Sequence, residues 1–325
     1  MFNLLKFTEI YKERIWGGRN LERLFGKNLP PKANIGESWE LADLPEDKSV
    51  VAIGPDAGKN ISQLVREWGK GLLGHAELDG GQFPLLIKLL DANDILSVQV
   101  HPDYASAGEM EPSVRAKYEC WYIIDAEEDA YVYIGFKPGV TPDMVEDAIA
   151  EGTLATLLVK LRARKGDFFY LPGGTVHALG SGLVVAEIQT PSDTTFRLYD
   201  WNRVDAVTGE PRKLHIEESL RCLHFSGPPE MPRPVTSLPD KQMEMLVEAP
   251  TFTAAKALRN AGDVVNVKTG DPIVWIIIEG DGEISDGEVK IPLKPGQTLL
   301  IPAGCPSPQA KFFSKTIYLE ARLTK

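Results

Sequence analysis

The stretch GDFFYLPGGTVH, Gly166 to His177, and the stretch GQTLLIPAGCPS, Gly296 to Ser307, share one spacing. Each reads Gly, five residues, Pro, any residue, Gly, two residues, then His177 in the first and Ser307 in the second. A strand held between a Gly turn and a Pro-x-Gly turn makes one corner of a small β-barrel. Two such corners, each after a β-like segment, predict two barrels in one chain. Short apolar runs ended by Gly or Pro recur elsewhere, as at Trp121–Ile124, Tyr131–Phe136, Val184–Ile188, Val274–Glu279 and Thr316–Ala321, and predict a mainly β fold. Helix signals are fewer. Asn60–Gly69 has an Asn cap and Ile61, Leu64, Val65 and Trp68 at helical spacing. Thr141 and Pro142 open a second helical stretch, expected to pause at Gly152 and resume to about Leu161. Leu214–Phe225 is a third candidate. Ser226–Asp240 holds five prolines between positions 228 and 239, which excludes both helix and central strand. The expected organisation is a first barrel domain over 1–227 with a helical insertion near 141–161, a linker over 228–240, and a second barrel domain over 241–325. A long surface loop inside one domain is the competing reading of the proline run.

Composition bounds the function. With 325 residues, 43% hydrophobic and 25% charged, the chain has the mix of a soluble globular protein. A formal charge of −11 suits neither a nucleic-acid backbone nor an anionic membrane surface, though a local basic pocket for one small anion remains compatible with it. No apolar run approaches the roughly 20 residues that a membrane helix needs. The N-terminal residues lack a signal-peptide pattern. Cys120, Cys222 and Cys305 are widely spaced and form no CxxC pair, so a reducing cytoplasm is expected rather than a disulfide framework.

The chemistry concentrates in IKLLDANDILSVQVHPD, Ile87 to Asp103. Alternation from Leu96 puts Leu96, Val98 and Val100 on one face and Ser97, Gln99 and His101 on the other. In a strand Gln99 and His101 then point together, about 7 Å apart. Such a pair in a barrel mouth could hold a metal; a solvated face with an incidental histidine is the alternative. Glu119 shares parity with Lys117, and His177 comes from the Pro-x-Gly corner. Gln99, His101, Glu119 and His177 together offer two imidazoles, a carboxylate and an amide oxygen, a set that suits zinc with one position open. A surface salt bridge for Glu119 and a backbone-bonded turn histidine for His177 are the bland readings. Downstream, Asp193, Thr195, Arg197 and Tyr199 share a parity, and Asp with Arg on one face can form an ion pair or grip an anion.

The Gly/Pro spacing resembles the second motif of the cupin superfamily, and the chain is similar to a tandem cupin whose C-terminal copy has Ser307 in place of the metal-binding histidine. The segments IKLLDANDILSVQVHPD, KYECWYIID, GDFFYLPGGTVHALG and EIQTPSDTTFRLYDWNR, with IWGG at Ile15–Gly18 and GESWEL at Gly36–Leu41, resemble the type I mannose-6-phosphate isomerase (phosphomannose isomerase) family in its short bacterial form. The similarity runs from about Tyr11 to Leu323. It implies a cytoplasmic enzyme of carbohydrate metabolism that interconverts mannose 6-phosphate and fructose 6-phosphate through an enediol(ate). It also implies one zinc per chain on Gln99, His101, Glu119 and His177. The same resemblance associates Lys88 and Ser97 with the phosphate, and matches Lys117, Asp193 and Arg197 to further residues of the family's pocket. Arg203, which stands where longer members carry a lysine, is expected to bind the substrate or its phosphate, and Tyr118 stands where many carry proline.

Proton transfer leaves two candidates, Asp193 if burial raises its pKa and Lys117 if a nearby metal lowers its own. Arg197 stays charged at neutral pH and so would stabilise negative charge rather than act as a base. The expected partner is a sugar phosphate, with no nucleic acid, membrane or obligate protein partner. A cupin-type glucose-6-phosphate isomerase and a metal-holding sugar-phosphate sensor are the competing functions.

Overall fold

Strand Glu119–Ala126 turns Trp121 and Ile123 to one side and Cys120, Tyr122 and Ile124 to the other, and all five are buried. A strand that is apolar on both faces needs cover on both, and that need organises the molecule. The computed structural model describes residues 2–204, 209–230 and 240–323. Within them a six-stranded antiparallel sheet runs in the order Ile10–Gly18, Ile35–Leu41, Leu86–Ala92, Leu183–Gln189, Glu119–Ala126, Phe168–Leu171. A five-stranded sheet, Phe196–Tyr199, Val98–Val100, His177–Leu179, Tyr131–Phe136, Leu158–Arg162, lies over its inner face. Trp16, Leu90, Trp121, Ile123, Val132, Ile134 and Val185 fill the space between them.

The second sandwich repeats this plan. Its five-stranded sheet is Met243–Glu248, Phe252–Arg259, Thr316–Leu323, Ile273–Glu279, Thr298–Ile301, and its four-stranded sheet is Val264–Asn266, Gln309–Phe312, Gly282–Ser285, Lys290–Leu293. Trp275, Ile277, Ile291, Phe312 and Tyr318 pack between them. The fold is therefore mainly β, a tandem of cupin-like sandwiches with a few short helices. Both predicted corners form: Gly166 and Gly296 take φ of 90° and 77°, a region that glycine enters without strain. The copies match in detail. Trp121 pairs across strands with Glu187 and donates its indole N–H to it at 2.9 Å; Trp275 does the same to Glu320 at 2.8 Å.

The outer face of the six-stranded sheet meets the second sandwich. Ile87, Leu89, Tyr122 and Ile188 share one continuous core with Ala254, Val274, Ile276, Leu300 and Leu319. An N-terminal arm crosses the junction: Leu5 and Leu300 exchange backbone hydrogen bonds, each 2.9 Å.

Helix Ile61–Trp68 starts at Asn60, as its sequence predicts, and Gln63 completes a capping box there. Helix Pro142–Ala150 starts at Thr141 as expected but ends early. Gly152 turns at φ 72°, Leu154–Leu157 makes one 3₁₀ turn, and Leu158–Arg162 is an edge strand rather than helix. Of the third candidate, Leu214–Phe225, residues Ile216–Cys222 are helical; Asn20–Phe25, Lys70–Leu73 and Tyr104–Gly108 are short helices that the sequence signals did not predict. Residues 231–239, most of the proline-rich stretch, lie outside the described residues. Among the described residues no helix is long and apolar enough to cross a membrane.

Candidate active site and metal centre

The ligand candidates converge because adjacent strands carry them. Gln99 pairs with His177 across the five-stranded sheet, and His101 follows the same short strand. Glu119 opens the facing strand of the six-stranded sheet, opposite Gln189 and Leu171. The Pro172-Gly173-Gly174 corner holds these parts together. Gly174 donates its N–H to His101 O at 2.7 Å. A Cβ on Gly173 would come within 2.6 Å of Asp103 Cα, so only glycine lets the corner lie this close.

His101, Glu119 and His177 are fully buried, and their ligand atoms lie within 4.8 Å of one another. Glu119 Oε1 is 3.3 Å from His177 Nε2, and Oε2 is 3.5 Å from His101 Nε2. The Gln99 amide nitrogen is 3.3 Å from His177 Nε2. Each imidazole is oriented from behind: His101 Nδ1 faces Thr194 O at 2.8 Å, and His177 Nδ1 faces Thr175 O at 2.9 Å. That arrangement sets Nδ1 as the N–H and leaves Nε2 as a lone pair directed at Glu119, which is how metal-binding histidines are held. Neither oxygen of the buried Glu119 accepts a hydrogen bond of good geometry, although Lys117 Nζ lies 2.7 Å from Oε2. Lys117 serves only Oε2; Oε1 and the Nε2 lone pair of His177 face each other at 3.3 Å with no proton between them, an arrangement that is expensive when buried unless a cation sits among the ligand atoms. Burial, with the Lys117 charge beside it, pushes His101 down to about 3, and burial also lowers His177. The residues therefore fit a divalent cation.

The centre borders a cavity of about 340 Å³ lined by Gln99 and Lys117, by Lys88, Glu37 and Glu187 on one wall, and by Ser97, Arg197 and Arg212 on another. Lys88 Nζ is 3.1 Å from Glu187 Oε1, and both side chains are buried. Burial lowers the Lys88 pKa, but Glu187 and Glu37 outweigh it, so the amine is held well above its ordinary value. Burial raises Glu187 despite Lys88. Glu37 goes the other way: burial opposes its charge, but Lys88, Arg14 and the Trp39 indole N–H hold it below the usual carboxylate range.

The sequence-derived site residues fare differently. Gln99, His101, Glu119, His177, Lys117, Lys88, Ser97 and Arg197 gather at this cavity and its metal-fitting end. Asp193 lines the cavity but is exposed, so the burial on which its role as a base depended is not met. Arg203 is not among the lining residues; its guanidinium donates to Asp200 Oδ1 at 2.6 Å and Ile95 O at 2.6 Å. Arg212, Glu37 and Glu187 line the cavity and were not singled out in the sequence. GESWEL and EIQTP contain the two glutamates, and alternation with Trp39 and Gln189 was the signal for their inward face.

The model of the family described as "Phosphomannose isomerase type I, catalytic domain" matches residues 4–133. Mannose-6-phosphate isomerase ManA of Bacillus subtilis is 38% identical over 306 residues, 92% of this chain and 93% of its own. The chain belongs to the type I phosphomannose isomerase family. The mannose-6-phosphate isomerase of Streptococcus mutans is likewise 38% identical, over 89% of each chain. Among solved structures, the mannose 6-phosphate isomerase of Bacillus subtilis superposes with a TM-score of 0.89 at 32% identity, covering 98% of this chain and 99% of that one. The apo form of the Salmonella typhimurium enzyme, at 16% identity and TM-score 0.76, shares the fold. As a type I phosphomannose isomerase the chain is an aldose–ketose isomerase by family.

Proposed function

We propose that this chain is a zinc-dependent isomerase that interconverts mannose 6-phosphate and fructose 6-phosphate through an enediol(ate). The observation that carries the reading is the pair of imidazoles oriented so that their lone pairs converge on the buried Glu119 carboxylate, whose Oε1 has no hydrogen-bond donor, at the end of a polar cavity. Two nitrogens, one carboxylate and the Gln99 amide oxygen make zinc the best-matched divalent ion. When bound, the ion supplies Lewis-acid stabilisation of negative charge on the substrate oxygens. Lys117, buried and facing the cavity, is the group we assign to carry the proton between C1 and C2; Asp193, exposed at the wall, is the alternative. Arg197 holds no removable proton at neutral pH, so it grips an anionic group of the substrate rather than moving a proton. We also read 1–227 and 241–325 as the catalytic and degenerate domains, joined at 228–240. Ile273 stands two residues before Trp275 as Glu119 stands before Trp121, so the second copy offers no carboxylate there and is assigned no metal.

The test is an assay of fructose 6-phosphate formation from mannose 6-phosphate, before and after chelation and after zinc is restored. Activity should vanish with chelator and return with zinc, at one equivalent per chain. Glucose 6-phosphate as the preferred substrate would favour the competing isomerase. Deuterium wash-in at C2 should be abolished by Lys117→Met and survive Asp193→Asn; the reverse result would move the base to Asp193.

A further inference from the structure

The cavity differs in charge between its walls, and the two would take different groups. On the inner wall Lys88 lies between carboxylates, with Glu187 at 3.1 Å and Glu37 near enough to act on its charge. Each carboxylate there already has a cation, Glu187 from Lys88 and Glu37 from Arg14 at 2.9 Å, so the Lys88 ammonium is a spent charge that offers a phosphate dianion little. On the opposite wall the cations are less completely paired. Arg197 directs Nε to Ser97 Oγ at 3.3 Å and Nη1 to Lys213 O at 2.9 Å. Arg212 directs Nε and Nη2 to the two carboxylate oxygens of Asp200. Arg212 is thus fixed along its Nε–Nη2 edge, and Arg197 at two of its three nitrogens. The remaining nitrogens, Nη2 of Arg197 and Nη1 of Arg212, find no hydrogen-bond acceptor among the described residues, and both side chains line the cavity. Burial lowers the Arg197 pKa and the neighbouring Arg212 charge lowers it further. Two like charges kept facing one space are a cost that a bound anion would relieve.

We infer that Arg212, fixed by Asp200, completes the seat of the substrate phosphate beside Ser97 and Arg197, and that Lys88 serves the sugar end instead. The identity of the substrate rests on the isomerase reading above; the anion seat does not. Two pre-oriented guanidiniums match the oxygens of a phosphate monoester better than one buried, ion-paired lysine. Arg212 is the second arginine of the seat, since Arg203 turns away to Asp200 and Ile95 O. The ligand class that follows is a monophosphate ester of a short sugar, with its dianion at this wall and its reacting carbons toward the metal centre.

The test uses inorganic phosphate as the probe, measured by calorimetry and as a competitive inhibitor, on the full-length wild type, Arg212→Ala and Arg212→Lys. Arg212→Ala should weaken phosphate binding and raise the KM for mannose 6-phosphate by roughly 10–100-fold, with kcat changed far less. Arg212→Lys, which keeps a cation for Asp200 and guards against a folding defect, should recover part of the phosphate affinity. Unchanged phosphate binding in Arg212→Ala, or a loss confined to kcat, would overturn the seat. A wild type that binds phosphate through Arg212 but does not isomerise mannose 6-phosphate would sink the isomerase reading and leave the seat standing. An active enzyme whose phosphate binding ignores Arg212 would do the opposite.

Discussion

Glu37 shows how one side chain links the cavity to stability. It accepts from the Trp39 indole at 2.6 Å and from Arg14 at 2.9 Å, and it neighbours Lys88. Its carboxyl pKa is held below the ordinary 4.5. A carboxyl depressed in the folded state adds stability that is present above the unfolded value and is lost as the pH falls through the folded one. Glu37→Gln should therefore cost about 2 kcal/mol near neutral pH, the scale of a buried charged hydrogen bond. The difference from wild type should shrink below about pH 4.5. Denaturant melts of both proteins across that range check this, and a gap that is constant with pH would remove the charge from the account.

Among the elements, helix Ile61–Trp68 offers the cleanest local test. Asn60 Oδ1 accepts from Gln63 N at 2.9 Å, and the Gln63 side chain answers to Asn60 N at 2.8 Å. Asn60→Ala should lower stability by about 1 kcal/mol, with Asn60→Asp close to wild type; chemical denaturation of the three proteins decides it. This cap was legible in the sequence because its signals are local. The strands near both Pro-x-Gly corners were legible for the same reason: an apolar run between Gly and Pro leaves little choice. Leu158–Arg162 was not legible. Its five residues follow a true helix, and pairing with Tyr131–Phe136, far away in sequence, makes them a strand. The site divides along the same line. Gln99 and His101 announce themselves by alternation, and motif resemblance supplied Glu119 and His177. Arg212 carries no periodic or motif signal; Asp200 draws it to the cavity through a contact that exists only in three dimensions. Arg203 had the better position in sequence and the wrong direction in space.

At the scale of the whole molecule, three cores report on one another. Cys120 lies at the junction of the sandwiches, Cys222 under the five-stranded sheet and Cys305 inside the second sandwich. Burial raises all three thiols, Cys120 well above its ordinary value, Cys222 to about 11 and Cys305 to about 12. Thiolate is the reactive form, so a thiol reagent should label none of them in the native protein. Because the junction core is shared by both sandwiches, all three should become reactive in one denaturant transition, followed by mass spectrometry of the labelled protein. Labelling of Cys305 at a clearly lower denaturant concentration than Cys120 would mean that the second sandwich opens on its own.

The backbone exchange between Leu5 and Leu300 also bears on how the chain is made. Leu5 leaves the ribosome long before Leu300 exists, and the outer face of the six-stranded sheet is finished long before its cover. Until the second sandwich arrives, Ile87, Leu89, Tyr122 and Ile188 face water. Contacts of such long sequence separation form slowly, and an uncovered apolar sheet face is prone to aggregation. The second sandwich thus has a task that begins during synthesis: it ends the period in which the outer face of the first is exposed to its neighbours in a crowded cell.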